Sequence, residues 1–385
     1  MRRLGCRGPG GFRKHAFCRP MTSKPVKKVL HVLGDKSWKP QARYLGSTKD
    51  IVGRRDYFRA RGIECVELLL TGRQDHICLE MLQGIDLRGI DAAVMEPPRY
   101  PKAMKWLRGT HPHIRQMIRG HNAELIHQLH TSWAYLKSGL AGLRWRSKHA
   151  GMSARNAVRR LSFDVACARQ ADHVLAITDW EAAHYWSTLV SRKKILTAPY
   201  FLPASYLEPR SETPKVHWVI CAMSAAWSPL AHDAAKVLVR LVDATPTRDL
   251  GGWKFMVTGD LGEHEPDYQA MQASGRVTIT GNLAIPFEKT KNATVLAHLS
   301  SLGMGFKTKL LDFVHYGGWI VLPGKLYSRQ PAEIRPFCIV VDALSPEGLT
   351  KALRKAKEPW PDPSGVNDRL RERAFRAMDL AFGYA

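Results

Sequence analysis

Short apolar runs alternate with amphipathic stretches along almost the whole chain. In the first half, runs typical of buried strands cover 26–33, 65–70, 91–95, 116–119, 171–178 and 194–200. In the second half they cover 218–223, 255–258, 276–280, 294–299, 319–322 and 338–341. Helical stretches separate these runs, and strands that alternate with helices form parallel sheets. The pattern therefore predicts an α/β fold.

The alternation stops once and then starts again. The interruption lies at 202–216, where proline and serine give the composition of a linker. A chain of 385 residues also exceeds the usual size of one hydrophobic core. We therefore expect two tandem Rossmann-like domains, 26–201 and 217–365, with a cleft between the carboxyl ends of their sheets. An amphipathic helix in 366–385 follows, which is a candidate to pack back on the first domain.

Three residues are predicted to cap helices. Asn122 and Asp179 each follow a predicted strand and precede a helical stretch, and Ser345 precedes a proline at a first helical position.

Charge is distributed unevenly. The formal net charge is +24, and fourteen basic residues but only two acidic ones lie between Arg99 and Arg169, a segment called the basic region below. Such charge attracts anionic membranes, polyanions and nucleic acids alike. Because the chain has no helix-turn-helix, RNP-like or zinc-finger pattern, we expect no specific nucleic-acid partner.

The expected compartment follows from three features that the sequence lacks. Residues 1–25 form a basic leader, expected to be disordered, without the apolar segment of a secretory signal. The seven cysteines form no CxxC pair, which is typical of reduced core residues. No apolar run is long enough to span a membrane. We expect a cytoplasmic protein that meets the inner face of the cytoplasmic membrane through the basic region, which carries Trp106, Trp133, Tyr135 and Trp145.

One stretch combines glycine, lysine and aspartate. The glycine–lysine loop, residues 301–307, contains Gly303 and Gly305, which allow a tight turn, and a short amphipathic helix follows it. Free N–H groups in the loop, the helix N-terminus and the lysines Lys307 and Lys309 together predict an anion site. The alternative is an ordinary capped surface helix with solvated lysines.

Several motifs resemble those of GT-B glycosyltransferases, in the retaining, family-4-like group of bacterial polysaccharide synthesis. They are Arg119-x-His121-Asn122-x-Glu124, the run from Arg169 to Asp179, Met223-Ser-Ala-Ala-Trp227, Val277-Thr-Ile-Thr-Gly281 and Gly305-Phe-Lys-Thr-Lys309-Leu-Leu-Asp312. The resemblance implies a GT-B fold and an enzyme without a metal or other cofactor. Its donor is a nucleotide-diphosphate sugar, and its acceptor is lipid-linked or a polysaccharide.

The resemblance also implies roles for individual residues. Lys309 neutralises the leaving diphosphate with help from Lys307, Asp312 binds the nucleotide ribose, and His121 reaches into the cleft toward the sugar. Further residues implied on the donor side are Gly303, Gly305, Gly281 and Ser224. Those implied on the acceptor or cleft side are Gly34, Arg119 and Asn122.

Three features depart from the family pattern. Met304 stands where many members have a glutamate, the segment from Ser224 to Pro229 contains no basic residue, and Gly34 is single where many members have a glycine pair. These departures support an alternative, a non-catalytic scaffold of the same fold that binds nucleotide-sugar. An epimerase of the same fold is a further alternative. The sequence leaves the donor sugar, base, acceptor, linkage and oligomeric state open.

Overall fold

A computed structural model describes residues 24–34, 45–70, 75–138, 142–207, 209, 216–222, 228–260, 265–281, 283 and 291–385. We call 24–207 the first half and 216–385 the second half. Residues 1–23 of the predicted leader, residues 208 and 210–215 of the predicted linker, and Ser224 lie outside the described residues.

The first half contains a parallel six-stranded sheet. Its strands are β1 (Lys28–Gly34), β2 (Glu64–Leu70), β3 (Ala92–Glu96), β4 (Arg115–Arg119), β5 (His173–Ala176) and β6 (Ile195–Thr197). They lie in the order β2-β1-β3-β4-β5-β6, and every neighbouring pair is parallel. The six strands predicted from the first half of the sequence are therefore confirmed, with ends that differ by a few residues.

Helices cover both faces of this sheet. They are α1 (Gly46–Ala60), α2 (Asp75–Gln83), α3 (Pro101–Thr110), α4 (Glu124–Lys137), α5 (Leu143–Gln170), α6 (Asp179–Glu181) and α7 (Ser187–Leu189). Successive strand residues point to opposite faces. Val29 and Val94 accordingly pack on the α1 side, whereas Leu30 and Ala93 pack on the side of α2, α3 and α5.

The second half repeats the architecture. Its strands are β7 (Val216–Ala222), β8 (Lys254–Thr258), β9 (Val277–Ile279), β10 (Ala293–Ala297), β11 (Trp319–Pro323) and β12 (Cys338–Val341), in the order β12-β11-β10-β7-β8-β9. Its helices are α8 (Pro229–Ala244), α9 (Glu265–Gln272), α10 (Thr308–Tyr316), α11 (Gly324–Tyr327), α12 (Pro346–Lys355) and α13 (Val366–Phe382). All pairs are again parallel, so both predicted sheets are present.

The last helix, α13, packs against the first half. Asp379 accepts two hydrogen bonds of 2.7 Å from the Arg61 guanidinium and one of 3.1 Å from the Tyr57 hydroxyl. The backbone N–H of Val26 donates to the carbonyl of Phe382 at 3.0 Å. These contacts join the end of the chain to β1 and α1.

One of the three predicted helix caps is confirmed and two are wrong. The Ser345 hydroxyl accepts a hydrogen bond from the N–H of Gly348. Asn122 instead donates to the carboxylate of Glu124, so α4 begins without a side-chain cap. Asp179 is already inside α6, and the hydroxyl of the preceding Thr178 caps that helix.

No described helix is both long enough and apolar enough to cross a bilayer.

Candidate active site at the junction of the two sheets

The carboxyl ends of β4 and β10 meet where the two halves touch. The loop after β4 brings His121 and Asn122 against Gly305 of the glycine–lysine loop. Gly305 has a φ of +82°, and a Cβ there would overlap the Asn122 side-chain oxygen and the His121 carbonyl oxygen. Both the backbone angle and the close approach therefore require glycine. The structure thus brings together residues from both predicted sides of the cleft.

Two helix N-termini lie at this junction. Lys307 directly precedes α10, and Gly46 begins α1. A Cβ on Gly46 would lie 2.6 Å from the Thr308 hydroxyl oxygen, so the two helix ends are in contact. Helix N-termini carry partial positive charge, which favours anions at this position.

Two amides of the glycine–lysine loop are occupied, contrary to the expectation that the N–H groups of this loop are free. The N–H of Gly303 donates to Nδ1 of His130 at 2.9 Å, and the N–H of Met304 points to Nδ1 of His127 at 3.4 Å. Both histidines belong to α4, which packs against the loop. Burial lowers the pKa of His127 to about 4 and also lowers the pKa of His130, so both imidazoles accept hydrogen bonds in their neutral form.

Packing explains why methionine occupies position 304. The Met304 side chain is 2% exposed and lies in the apolar cluster of the first half that includes Ala123 and Trp186. A glutamate carboxylate there would lose its hydration among apolar side chains. Met304 therefore packs the glycine–lysine loop of the second half against the first half.

Cations surround the loop. The Lys307 ammonium donates to the Met304 carbonyl at 3.2 Å. Burial, together with repulsion from Lys309 and Arg329, lowers the pKa of Lys307 to about 8. Burial also lowers the pKa of Lys309, although the neighbouring Cys221 and Asp312 oppose this. Burial of positive charges close together costs free energy, and a bound anion would reduce that cost.

Asp312 forms an ion pair with the first half. Its Oδ2 lies 2.6 Å from the ammonium of Lys49 in α1, and the lysine side chain is only 3% exposed. Asp312 Oδ1 is buried and has no hydrogen-bond partner among the described residues. The residue predicted to bind ribose thus has one oxygen engaged and one unsatisfied.

A buried ion network supports the first-half side of the junction. The Arg119 guanidinium donates to both oxygens of Asp50 at 2.8 and 2.9 Å and to the Ala198 carbonyl at 2.6 Å. Arg119 is 1% exposed, and its hydrogen bonds hold the sheet edge together. Burial would raise the pKa of Asp50, but the charges of Arg119 and Arg54 lower it to about 2.

His121 belongs to the same network. Its Nε2 lies 2.5 Å from Oε1 of Glu96, and its side chain is 18% exposed. Glu96 also accepts hydrogen bonds from Arg54 and His31. Burial would raise the pKa of Glu96, but Arg54 and His121 hold it well below its usual range. His121 is therefore oriented by a carboxylate at the edge of the junction.

Two groups of side chains have the spacing of metal ligands. They are Asp50, Glu96 and His121, and His31, Cys65 and Glu67. Guanidinium groups already pair with the carboxylates in both groups, because Arg54 binds Glu96 and Arg55 binds both oxygens of Glu67. A divalent cation would have to displace these arginines.

Two of the remaining predicted site residues lie at or just after strand ends. Gly34 ends β1, and an added Cβ would lie 3.5 Å from Pro97, an ordinary contact. Gly281 follows β9 at the far edge of the second sheet, where its carbonyl accepts a hydrogen bond from Gly259. The structure does not describe Ser224.

Two residues at the junction were missed in the sequence. Glu181 is buried, and its Oε1 accepts a hydrogen bond from the Ala123 N–H at 2.9 Å. Arg329 donates to the Gly303 carbonyl at 2.9 Å. Glu181 lies two positions beyond the motif that ends at Asp179, and Arg329 lies outside every motif. The two residues approach the loop from different strand ends.

Solved structures share this fold across nearly the whole chain. The apo form of the lipopolysaccharide outer core galactosyltransferase WaaB has a TM-score of 0.56 at 14% identity, covering 92% of this chain and 98% of its own. Anabaena HepE in complex with UDP-glucose has a TM-score of 0.55 at 13% identity, covering 92% and 97%. A glycosyltransferase from Rickettsia africae has a TM-score of 0.53 at 9% identity, covering 93% and 96%.

No protein-family model matches the sequence, and no curated protein matches it. The structural likeness, at these identities, establishes the fold. The chain has the GT-B fold, as the sequence predicts.

Proposed function

We propose that this GT-B chain is a glycosyltransferase that moves a sugar from a nucleotide-diphosphate donor to an acceptor hydroxyl. The observation that carries the proposal is the cluster of confined cations at the glycine–lysine loop, where two helix N-termini and the carboxyl edges of both sheets meet. A diphosphate matches this charge and position. One structure of similar fold, that of Anabaena HepE, is a complex with UDP-glucose.

The lysines stabilise the leaving group. The bond between the anomeric carbon and the phosphate oxygen breaks, and its electron pair moves to the diphosphate. The acceptor oxygen forms the new bond to the anomeric carbon, and its proton passes to the departing diphosphate. Lys309 and Lys307 stabilise the charge that develops on the diphosphate, so no metal ion is required. Because His130 and His127 occupy two loop amides, the side-chain cations and not these amides are assigned to the diphosphate.

The other site groups fit the remaining parts of the donor. We assign Asp312 to the nucleotide ribose. A ribose hydroxyl supplies the hydrogen bond that Oδ1 lacks, while Oδ2 keeps its ion pair with Lys49. His121 lies on the opposite side of the junction, where Glu96 orients its imidazole toward the expected position of the sugar. Transfer with retention at the anomeric carbon is the stereochemistry we propose for this arrangement.

We place the acceptor at a membrane. Outward-facing side chains of α4 and α5 combine apolar and basic residues, and the two acids of these helices are withdrawn: Glu124 lies near Arg160, and Asp164 is buried. The exposed members of this surface, the α4–α5 surface, are Leu129, Trp133, Leu136, Lys137, Leu143, Arg144, Lys148, Met152, Arg155, Val158 and Arg159. It suits anionic lipid on the inner face of the cytoplasmic membrane, and hence a lipid-linked or polysaccharide acceptor.

A non-catalytic scaffold is the second candidate. Position 304 carries a buried methionine, where many members of the resembled family have a glutamate. The carboxylate of that glutamate is therefore absent from the junction. A scaffold would bind the nucleotide but would neither transfer the sugar nor hydrolyse the donor. An assay for release of nucleoside diphosphate from its sugar conjugate separates the two candidates.

Thermal shift tests the donor site. We expect one of UDP, GDP, ADP and CDP, without metal, to raise the Tm of the wild type, because a ligand that binds the folded state stabilises it. Lys309→Ala should abolish that shift, whereas Lys351→Ala, an exposed lysine on α12, should retain it. If no nucleotide shifts the wild type, the donor site is refuted. If Lys309→Ala keeps the full shift, the diphosphate has been placed wrongly.

A further inference from the structure

Arg329 lies beside the glycine–lysine loop. It occupies the turn after α11, the short helix that follows β11. Its Nη1 donates to the Gly303 carbonyl at 2.9 Å and approaches the Ser301 carbonyl at 3.4 Å. Its guanidinium also lies 5.4 Å from the ring centre of Trp180, in the first half. Arg329 thus contacts both the glycine–lysine loop and Trp180 of the first half.

The guanidinium has hydrogen-bonding capacity to spare. Both of its bonds to carbonyl oxygens use Nη1, and within the described part of the chain no hydrogen bond is found for Nε or Nη2. A guanidinium carries five N–H donors arranged as a fork that matches phosphate oxygens. An arginine held in place through one nitrogen presents the rest of the fork preorganised.

The charge around Arg329 is mainly positive. Burial lowers its pKa, and Glu181 opposes this as the acidic neighbour. Its charge in turn contributes to the lowered pKa of Lys307 and of His130. Like charges brought together at a sheet edge cost free energy unless an anion joins them.

Topology explains why this position can supply a cation. In the second sheet β10 lies between β11 and β7, so the loop after β10 can be reached from either neighbour. The segment after β7, from Ser224 to Pro229, contains no basic residue. Arg329 comes from the β11 side of the same loop.

We propose that Arg329 binds the donor diphosphate as a cation additional to Lys307 and Lys309, replacing the one missing after β7. This inference rests on the proposed function and adds to it a diphosphate ligand from a different strand end. Glu181 is the acidic neighbour of this cluster, and the three cations outnumber it. The net positive charge therefore favours a diphosphate over a neutral sugar.

Binding of inorganic pyrophosphate tests the role of Arg329 even though the nucleotide base of the donor is unknown. In isothermal titration calorimetry, Arg329→Ala should weaken pyrophosphate binding about 10- to 100-fold, the value of a charge-assisted hydrogen bond. Arg329→Lys should recover part of the affinity. Arg335→Ala is the matched control, since Arg335 also donates to two backbone carbonyls, those of Ser328 and Gln330, and lies over the Tyr327 ring.

A nucleoside distinguishes ligand binding from loop support. The parent nucleoside of the nucleotide that stabilises the wild type should bind Arg329→Ala as well as it binds the wild type. Equal losses for nucleoside and pyrophosphate, or equal losses in Arg329→Ala and Arg335→Ala, would show that Arg329 only supports the loop and would overturn the inference.

The two proposals fail in different ways. If Lys309→Ala weakens pyrophosphate binding and Arg329→Ala does not, the donor site stands and the role of Arg329 is refuted. If the wild type binds neither pyrophosphate nor any of UDP, GDP, ADP and CDP, the proposed function and this inference are both refuted.

Discussion

Glu181 is a buried acid at the junction of the two halves. Burial raises its pKa to about 7, although hydrogen bonds from the backbone N–H groups of Ala123 and Gly305 oppose the shift. In the unfolded chain the carboxyl group titrates near its ordinary value of 4.5. Between these two values the folded state holds a proton that the unfolded state has released. The contribution of Glu181 to stability therefore falls as pH rises from about 4.5 to 7.

Glu181→Gln should remove this fall. We expect the free energy of unfolding of the wild type, relative to the variant, to decrease by up to about 3 kcal/mol between pH 5 and pH 7.5. Chemical denaturation of both proteins across this range measures the difference. Subtracting the variant matters because His127, with its pKa lowered to about 4, contributes a trend of opposite sign. Glu64→Gln, at a carboxyl group that is 63% exposed, is the control, and an unchanging difference would contradict the prediction.

At the residue scale, local patterns identified only part of the junction. Lys307, Lys309 and Asp312 lie within six positions of one another, so a single stretch of sequence revealed them. Glu181 and Arg329 come from other strand ends. Glu181 lies just beyond the motif that ends at Asp179, and Arg329 lies outside every motif. A motif can reveal residues that are neighbours along the chain, but not those that only the fold makes neighbours.

At the element scale, one ion pair joins α1 to α10. Lys49 and Asp312 are 263 residues apart in sequence, and their charged atoms are 2.6 Å apart in a largely buried contact. Removal of one partner leaves the other charge poorly solvated. Breaking such a pair is strongly destabilising, whereas replacing both partners is far less costly.

A double-mutant cycle tests this pair. Lys49→Met should lower the free energy of unfolding by about 3 kcal/mol. Lys49→Met combined with Asp312→Leu should lose less than the sum of the two single losses, which denaturation by urea measures. Lys28 and Glu64 form a more exposed pair at 2.6 Å, where Lys28→Met should cost no more than about 1 kcal/mol. Additive losses at Lys49 and Asp312 would mean that the contact does not join the halves.

At the scale of the whole molecule, charge and exposed apolar side chains coincide on the α4–α5 surface. Trp133 is 50% exposed, with the Lys137 ammonium 4.6 Å from its ring centre, and Leu143 and Val158 are each 68% exposed. A surface that combines both features inserts apolar groups while its lysines and arginines meet anionic headgroups. Stable attachment to a membrane needs both the insertion of apolar side chains and the attraction of basic side chains to anionic headgroups.

Vesicle flotation tests this surface. The wild type should bind vesicles that contain anionic phospholipid, should bind neutral phosphatidylcholine vesicles weakly, and should lose affinity as salt rises. Leu143→Glu should reduce binding several-fold. Leu380→Glu is the control, because Leu380 is an exposed leucine on α13, outside the surface. Equal binding by Leu143→Glu and the wild type would place the membrane contact elsewhere.

The sequence by itself determined the architecture. Buried parallel strands are short apolar runs, and the helices between them are amphipathic, so strand count, sheet type and the restart near residue 216 could all be inferred from local patterns. Because parallel strands bring their carboxyl ends to one edge, the loops that face the junction could be predicted as well. Gly305 and Lys309 were identified from the glycine–lysine stretch itself, and His121 from the family resemblance.

Only the tertiary structure decided what those loops contact. It buried Arg119, placed Met304 in the apolar cluster of the first half and directed the amides of Gly303 and Met304 to histidines of α4. It also brought Arg329 to the loop from the β11 side. The physical reason is that hydrogen bonds, ion pairs and burial depend on distances between atoms, and two halves packed together create distances that no local pattern contains.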